Sequence, residues 1–192
     1  MRKILLILVI CLACVSCAKV ENYSTPFDTG GKVYKLALLP WQTTTMDFDL
    51  KYRWRMVQSL RSACKQAGAF ELKWSAYPVN GGDVEILENI KKPSLWERRK
   101  YGNQYPVVAE VQAVLSGLDA DLALLYDLSA DNAVGSRDDM DSYRADYVRL
   151  FLVDVKTGKV VVEFDRTEFT NSGADYTIKQ VALRAFNKWL TQ

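Results

Sequence analysis

The chain of 192 residues contains no histidine. That single absence removes the Ser-His-Asp and Cys-His triads, the commonest near-neutral general base and the commonest zinc ligand. Cysteine is scarce as well. Of the four cysteines, Cys11, Cys14 and Cys17 lie in or beside an amino-terminal leader, which leaves Cys64 alone in the folded part. One thiol makes no internal disulfide. Net charge is also missing. Lys and Arg number 25 against 23 Asp and Glu. Arg2 and Lys3 account for the whole difference, since 25 − 2 = 23 and residues 1–16 hold no acid. A balance of this kind gives no support for nucleic acid as a partner. The apolar run Ile4–Ala13 is too short to span a bilayer stably, and the chain shows no internal repeat. What remains is the composition of an ordinary globular protein, long enough for one domain with a proper core behind a short leader.

Arg2 and Lys3 ahead of Ile4–Ala13 have the form of a secretory signal, so residues 1–16 read as an address rather than as structure. The segment that follows, Cys14-Val15-Ser16-Cys17-Ala18, resembles the lipobox of bacterial lipoproteins, in which a thiol just after small residues is acylated before cleavage. Cys17 is the acceptor this implies, with Cys14, after Leu12-Ala13, as a second candidate. Cys14 stands where the family usually has leucine. Ala18 and Lys19 lack the aspartate that, by the same resemblance, retains lipoproteins in the inner membrane. The implied location is therefore the outer membrane, lipid-anchored on its periplasmic face. Residues 17–32, with Ser24, Thr25, Pro26, Gly30 and Gly31, read as a flexible tether with a reach on the order of 50 Å. Residues 33–192 then form a single domain.

That domain opens on Lys35–Trp41, a nearly all-apolar strand ending in Pro40-Trp41, followed by an amphipathic helix from Asp49 to Ala67. A strand buried on both faces needs helices to cover it. In the helix Leu50, Trp54, Val57, Leu60, Cys64 and Ala67 recur at three- and four-residue steps. Asp47 or Asp49 is placed to cap its start and Gly68 its end. Cys64 falls on the apolar stripe and reads as a small core residue rather than a nucleophile. Phe70, Leu72 and Trp74 alternate with Glu71 and Lys73 as a second strand, parallel to the first by βαβ spacing. Val84–Ile90 reads as a short helix. Ser94 and Glu97 form a capping box for another helix carrying Trp96. Val108, Val111 and Leu115 make a helical stripe closed by Gly117. Asp121–Leu128 is a central strand, and Ala130–Ser142 an exposed acidic loop. Tyr147–Phe169 is a hairpin turning at Lys156-Thr157-Gly158, with glycine where the backbone needs positive φ. A last helix carries Ile178, Val181, Ala185 and Trp189 on one face. The expected fold is α/β (α+β), a mixed sheet of about five strands in the order β-α-β-α-α-β-β-β-α.

These pieces resemble a group of bacterial envelope lipoproteins that share the fold of the amino-terminal domain of TolB, among them the curli secretion lipoprotein CsgG and LpoB, an activator of penicillin-binding proteins. The resemblance runs over roughly Lys35–Leu190. It rests on Leu36-Ala37-Leu38-Leu39-Pro40, on Gln66-Ala67-Gly68-Ala69-Phe70-Glu71-Leu72, on Gly117-Leu118-Asp119-Ala120-Asp121, and on the hairpin Leu150–Val161. It implies a non-catalytic adaptor or assembly factor of an envelope complex, with no cofactor. The chain lacks the long amphipathic hairpins with which the curli channel would cross a membrane, and it lacks the long proline-rich linker of the synthase activator.

One stretch stands out as a candidate partner-binding surface. Lys91, Lys92, Arg98, Arg99 and Lys100 are interleaved with Trp96, Tyr101 and Tyr105, and Arg and aromatic residues favour interface anchors. The basic side of the first helix extends this surface. Its partner is an envelope protein, a lipid headgroup, a glycan, or a second copy of the chain. Against it stands a plainer reading, a solvated insert whose Trp96 packs down on the core. Asp131, Asp138, Asp139 and Asp141 offer oxygen ligands for calcium but do not match EF-hand spacing. Glu163 and Asp165 share a strand face, an arrangement a glycan hydrolase would use. Alternating charge on the wet face of an edge hairpin accounts for them more simply.

Overall fold

The computed structural model describes residue 27 and residues 29–43, 50–81, 83–99, 104–130, 145–166 and 174–192. Cys14, Cys17, Asp47, Asp49, the acidic loop, Lys100, Tyr101 and the side chain of Lys92 lie outside the described residues.

The strands are β1 (Tyr34–Leu38), β2 (Gln42–Thr43), β3 (Phe70–Ser75), β4 (Glu85–Ile86), β5 (Trp96–Arg98), β6 (Gln104–Pro106), β7 (Leu122–Ala130), β8 (Ala145–Asp154) and β9 (Lys159–Arg166). The helices are α1 (Leu50–Ala67), α2 (Val108–Val114) and α3 (Ala174–Leu190), with a 3-10 turn at Lys92–Leu95. The main sheet runs β4-β3-β1-β7-β8-β9, and β2 pairs with β7. β1 is parallel to both β3 and β7, while β7, β8 and β9 are antiparallel. The expected mixed sheet is present. Its five longer strands were legible, and β2 and β4 are two-residue additions.

The sheet separates two cores. On one face α1 and α3 pack Met56, Leu60, Val181, Phe186 and their neighbours against Leu36, Phe70, Leu124, Tyr126 and Leu150. Phe70 stacks on Phe186 at 4.0 Å between centroids, and Tyr34 meets Trp189 edge-on at 4.3 Å. Phe27 also packs here, its N–H donating to the Ala67 carbonyl at 2.8 Å, so the folded body takes in part of the expected tether. On the other face Leu95, Trp96, Val111 and Leu115 cover Ala37, Trp74, Leu125, Phe151 and Val153. The alternation of strand side chains makes both faces from one run: Leu150 and Leu152 point to the helices, Phe151 and Val153 away from them.

Gly68 has φ +70° and ends α1, its N–H donating to the Cys64 carbonyl. Gly158 has φ +63° in the β8–β9 turn, where Asp154 Oδ1 accepts the Thr157 N–H at 2.7 Å. A side chain at Gly158 would also strike Gln112 at 2.7 Å.

Three expectations fail. Val84–Ile90 is no helix. Its only regular element is β4, paired to Trp74 and Ser75, because so short an apolar run fits either period and the open edge of β3 decides. Ser94 caps nothing: its hydroxyl donates to the Lys91 carbonyl, and Trp96 begins a strand. Pairing of β5 with β6 keeps that stretch extended. Trp54 is 37% exposed. With Met56 and Ala63 in the core, Trp54 sits about 120° from the centre of the buried face at 100° per residue.

Candidate docking surface

The basic and aromatic stretch divides between two places. Pro93 and the 3-10 turn bring Leu95 to full burial and set Trp96 facing the sheet, 8% exposed, with its indole N–H donating to the Pro40 carbonyl at 3.2 Å. Trp96 and Tyr105 both lie edge-on to Phe151, at 6.0 and 5.1 Å. Trp96 therefore holds the β5–β6 hairpin down, as the plainer reading has it. On the outer side Arg98 and Arg99 are exposed. Arg99 lies 3.4 Å over the Tyr105 ring and pairs with Glu97 at 3.0 Å, which fixes the guanidinium on a rigid platform.

Lys91 belongs elsewhere. It lines an open groove of about 500 Å³ between β4 and the end of α2, floored by Trp74, Leu87, Ile90 and Leu118 and rimmed by Glu85 and Glu88. Nor does the basic side of α1 join the hairpin, since α1 covers the opposite face of the sheet. There Arg61 donates to the Asn80 carbonyl and, with Lys65, Glu71 and Asp83, borders a second cavity of about 300 Å³. Cys64 reaches that cavity but is 4% exposed, and burial pushes its thiol up to about 12. It is a core residue without thiolate character at neutral pH.

Glu163 and Asp165 share a face of β9, as expected, but they converge on Arg149. The guanidinium Nε lies 2.8 Å from Asp165 Oδ1 and 3.5 Å from Glu163 Oε1, and a second nitrogen donates to Asp165 Oδ2 at 3.4 Å. A fourth contact, 3.4 Å to the Gln104 carbonyl, ties Arg149 to the hairpin. Arg149 is 7% exposed and stands in register with Asp127 on β7, itself 5% exposed. Asp127 is pushed up to about 6, mainly because burial strips its solvation and despite the opposing field of Arg149. A polar row Gln42, Asp127, Arg149, Asp165 thus crosses four strands. Sequence reading missed Asp127 and Arg149. The signal was Asp127 as the one charge in Leu122–Ala130, and Arg149 as the one charge within the run Tyr147–Val153 of the next strand. Among the described residues no three His, Cys, Asp or Glu side chains are placed to hold a metal ion, and no helix is long and apolar enough to cross a membrane.

No family model matches the chain, and no curated protein sequence does. Several solved structures have a similar chain path. A PelC dodecamer from Paraburkholderia phytofirmans is 15% identical, with 82% of this chain and 87% of that one covered and a TM-score of 0.39. TolB from Acinetobacter baumannii is 10% identical, with 88% and 30% covered and a TM-score of 0.41. The LpoB C-terminal domain from Salmonella enterica is 10% identical, with 74% and 87% covered and a TM-score of 0.34. Likeness at this level assigns no activity, ligand or partner.

Proposed function

We propose that this chain is a lipid-anchored protein of the bacterial envelope, held through Cys17 at the periplasmic face of the outer membrane, which works as a docking adaptor or assembly factor rather than as an enzyme. The observation that carries the reading is the ordered leader: Arg2-Lys3, then Ile4–Ala13, then Val15-Ser16-Cys17. The docking half is supported by the hairpin, whose inner side is fixed by Trp96 and Tyr105 while Arg98 and Arg99 point outward. Arg99, held by Glu97 and the Tyr105 ring, suits recognition because less of its side-chain entropy remains to be lost on binding. The partner is an envelope protein or a second copy of the chain. Glu163 and Asp165 give little support to a hydrolase, since both are engaged with Arg149.

The test is the mass of the amino-terminal peptide from protein extracted from cell membranes. The reading expects residues 1–16 absent and Cys17 acylated, with Cys17→Ser releasing the protein from membranes and Cys14→Ser leaving it there. An intact leader with unmodified Cys17 overturns it.

A further inference from the structure

We propose that the β5–β6 hairpin of one copy seats in the β4 groove of a second copy, so that the chain associates head to tail through the thinly covered face of its sheet. This rests on the docking half of the reading above and is independent of the anchor at Cys17.

The charges that balance over the chain once Arg2 and Lys3 are set aside are segregated within this stretch. Asp83, Glu85 and Glu88 follow one another with no cation between them, and then Lys91, Lys92, Arg98, Arg99 and Lys100 stand against the single acid Glu97. The fold leaves Lys91 beside the acids and carries Arg98 and Arg99 onto the hairpin. Glu85 and Glu88 rim the groove at the β4 edge, whereas the hairpin lies against Phe151 of β8, four strand positions along the sheet. No ion pair joins the hairpin cations to the groove acids within one molecule among the described residues.

Between two molecules they match. The hairpin offers Arg98 and Arg99 with Glu97; the groove offers Glu85 and Glu88 with Lys91. Two cations and an acid face two acids and a cation. Arg98, Glu88 and Lys91 are exposed, and none has an ion-pair partner among the described residues. Apolar surface waits beneath the charges: Ile86 is 46% exposed on the edge strand, beside the groove floor of Trp74, Leu87, Ile90 and Leu118. Apolar area on an open sheet edge rimmed by charge marks an interaction site. Hairpin and groove are different surfaces, so each copy that donates a hairpin still offers a groove. The contact is heterologous and continues beyond a dimer into a ring or filament.

The experiment is sedimentation velocity of the full chain purified from membranes in density-matched detergent, over protein concentrations up to about 100 μM. Arg98→Glu/Arg99→Glu and Glu85→Lys/Glu88→Lys are each expected to weaken self-association about tenfold or more. Mixing the two restores assembly with the variants alternating, because the unchanged hairpin of the groove variant fits the unchanged groove of the hairpin variant and the acidic hairpin fits the basic groove. Glu85 accepts the Trp74 indole N–H, so Glu88→Lys alone stands in if the double variant fails to fold. Raising salt to about 0.5 M disperses the wild-type assembly. A wild-type chain that stays monomeric, variants that associate as wild type does, or a mixture that stays monomeric while the wild type assembles each overturns the proposal. Loss of Cys17 acylation would leave it untouched.

Discussion

The two faces of this sheet are built by different rules. On one, α1 and α3 lay eighteen and seventeen residues of helix across the strands and close a core of Leu, Val, Phe and Ala. On the other, the cover is a 3-10 turn, two three-residue strands and a seven-residue helix. That cover seals only the middle, leaving a groove at the β4 end and, toward the β9 end, the buried Asp127 and Arg149 beside the exposed Glu163 and Asp165. The helical face supplies stability in bulk. The thin face holds polar groups that a core built only for stability would exclude, and it holds the outward cations.

The largest expected difference is therefore on the helical face. Phe186→Ala removes a fully buried ring stacked on Phe70 and should cost about 3–5 kcal/mol in the unfolding free energy measured with urea. On the thin face, Arg149→Met leaves Asp127, Glu163 and Asp165 without their shared cation and should cost about 3 kcal/mol at pH 7. The loss should shrink at pH 5, where Asp127 takes up a proton, and a cost unchanged between the two pH values would show that Asp127 is not part of the charge balance.

Asp127→Asn should act in the opposite direction. The folded-state value of Asp127, about 6, lies above its ordinary 3.8, so the folded protein holds this proton more tightly than the unfolded chain. Stability from this group is fully present below about pH 4 and is lost as pH rises through 6. The Asn variant should be more stable than wild type at pH 7 by on the order of 1 kcal/mol, and the part of the wild-type pH dependence between 4 and 7 that it removes should fall with rising pH. The smallest effect belongs to Arg98→Glu, which should leave thermal stability within about 0.5 kcal/mol, since Arg98 is exposed and has no ion-pair partner among the described residues.

The same division governs what the sequence disclosed. β1, α1, β3, β7, the β8–β9 hairpin and α3 were legible because each is long enough to show its period, and Gly68 and Gly158 mark ends where the backbone must turn left-handed. The thin face was read poorly. β4, β5 and β6 hold two or three residues each, and only pairing with distant strands makes them strands. Trp96 was grouped with Arg98 by nearness in sequence, yet burial on Phe151 claimed the indole and left the guanidinium outside. Lys91 and the hairpin cations were likewise one cluster in sequence and two places in space. Asp127 and Arg149 gave a faint signal, a charge flanked on both sides by apolar strand residues, that acquires meaning only when register sets one opposite the other.

The most direct measurement of the claim that contacts are made by the thin face is site-specific photocrosslinking in intact cells, with the reactive group placed in turn at Arg98, Glu88 and Lys65 and the adducts identified by mass spectrometry. The account predicts adducts from Arg98 and Glu88 and only background from Lys65 on α1. Adducts from Lys65 with none from the other two would contradict it.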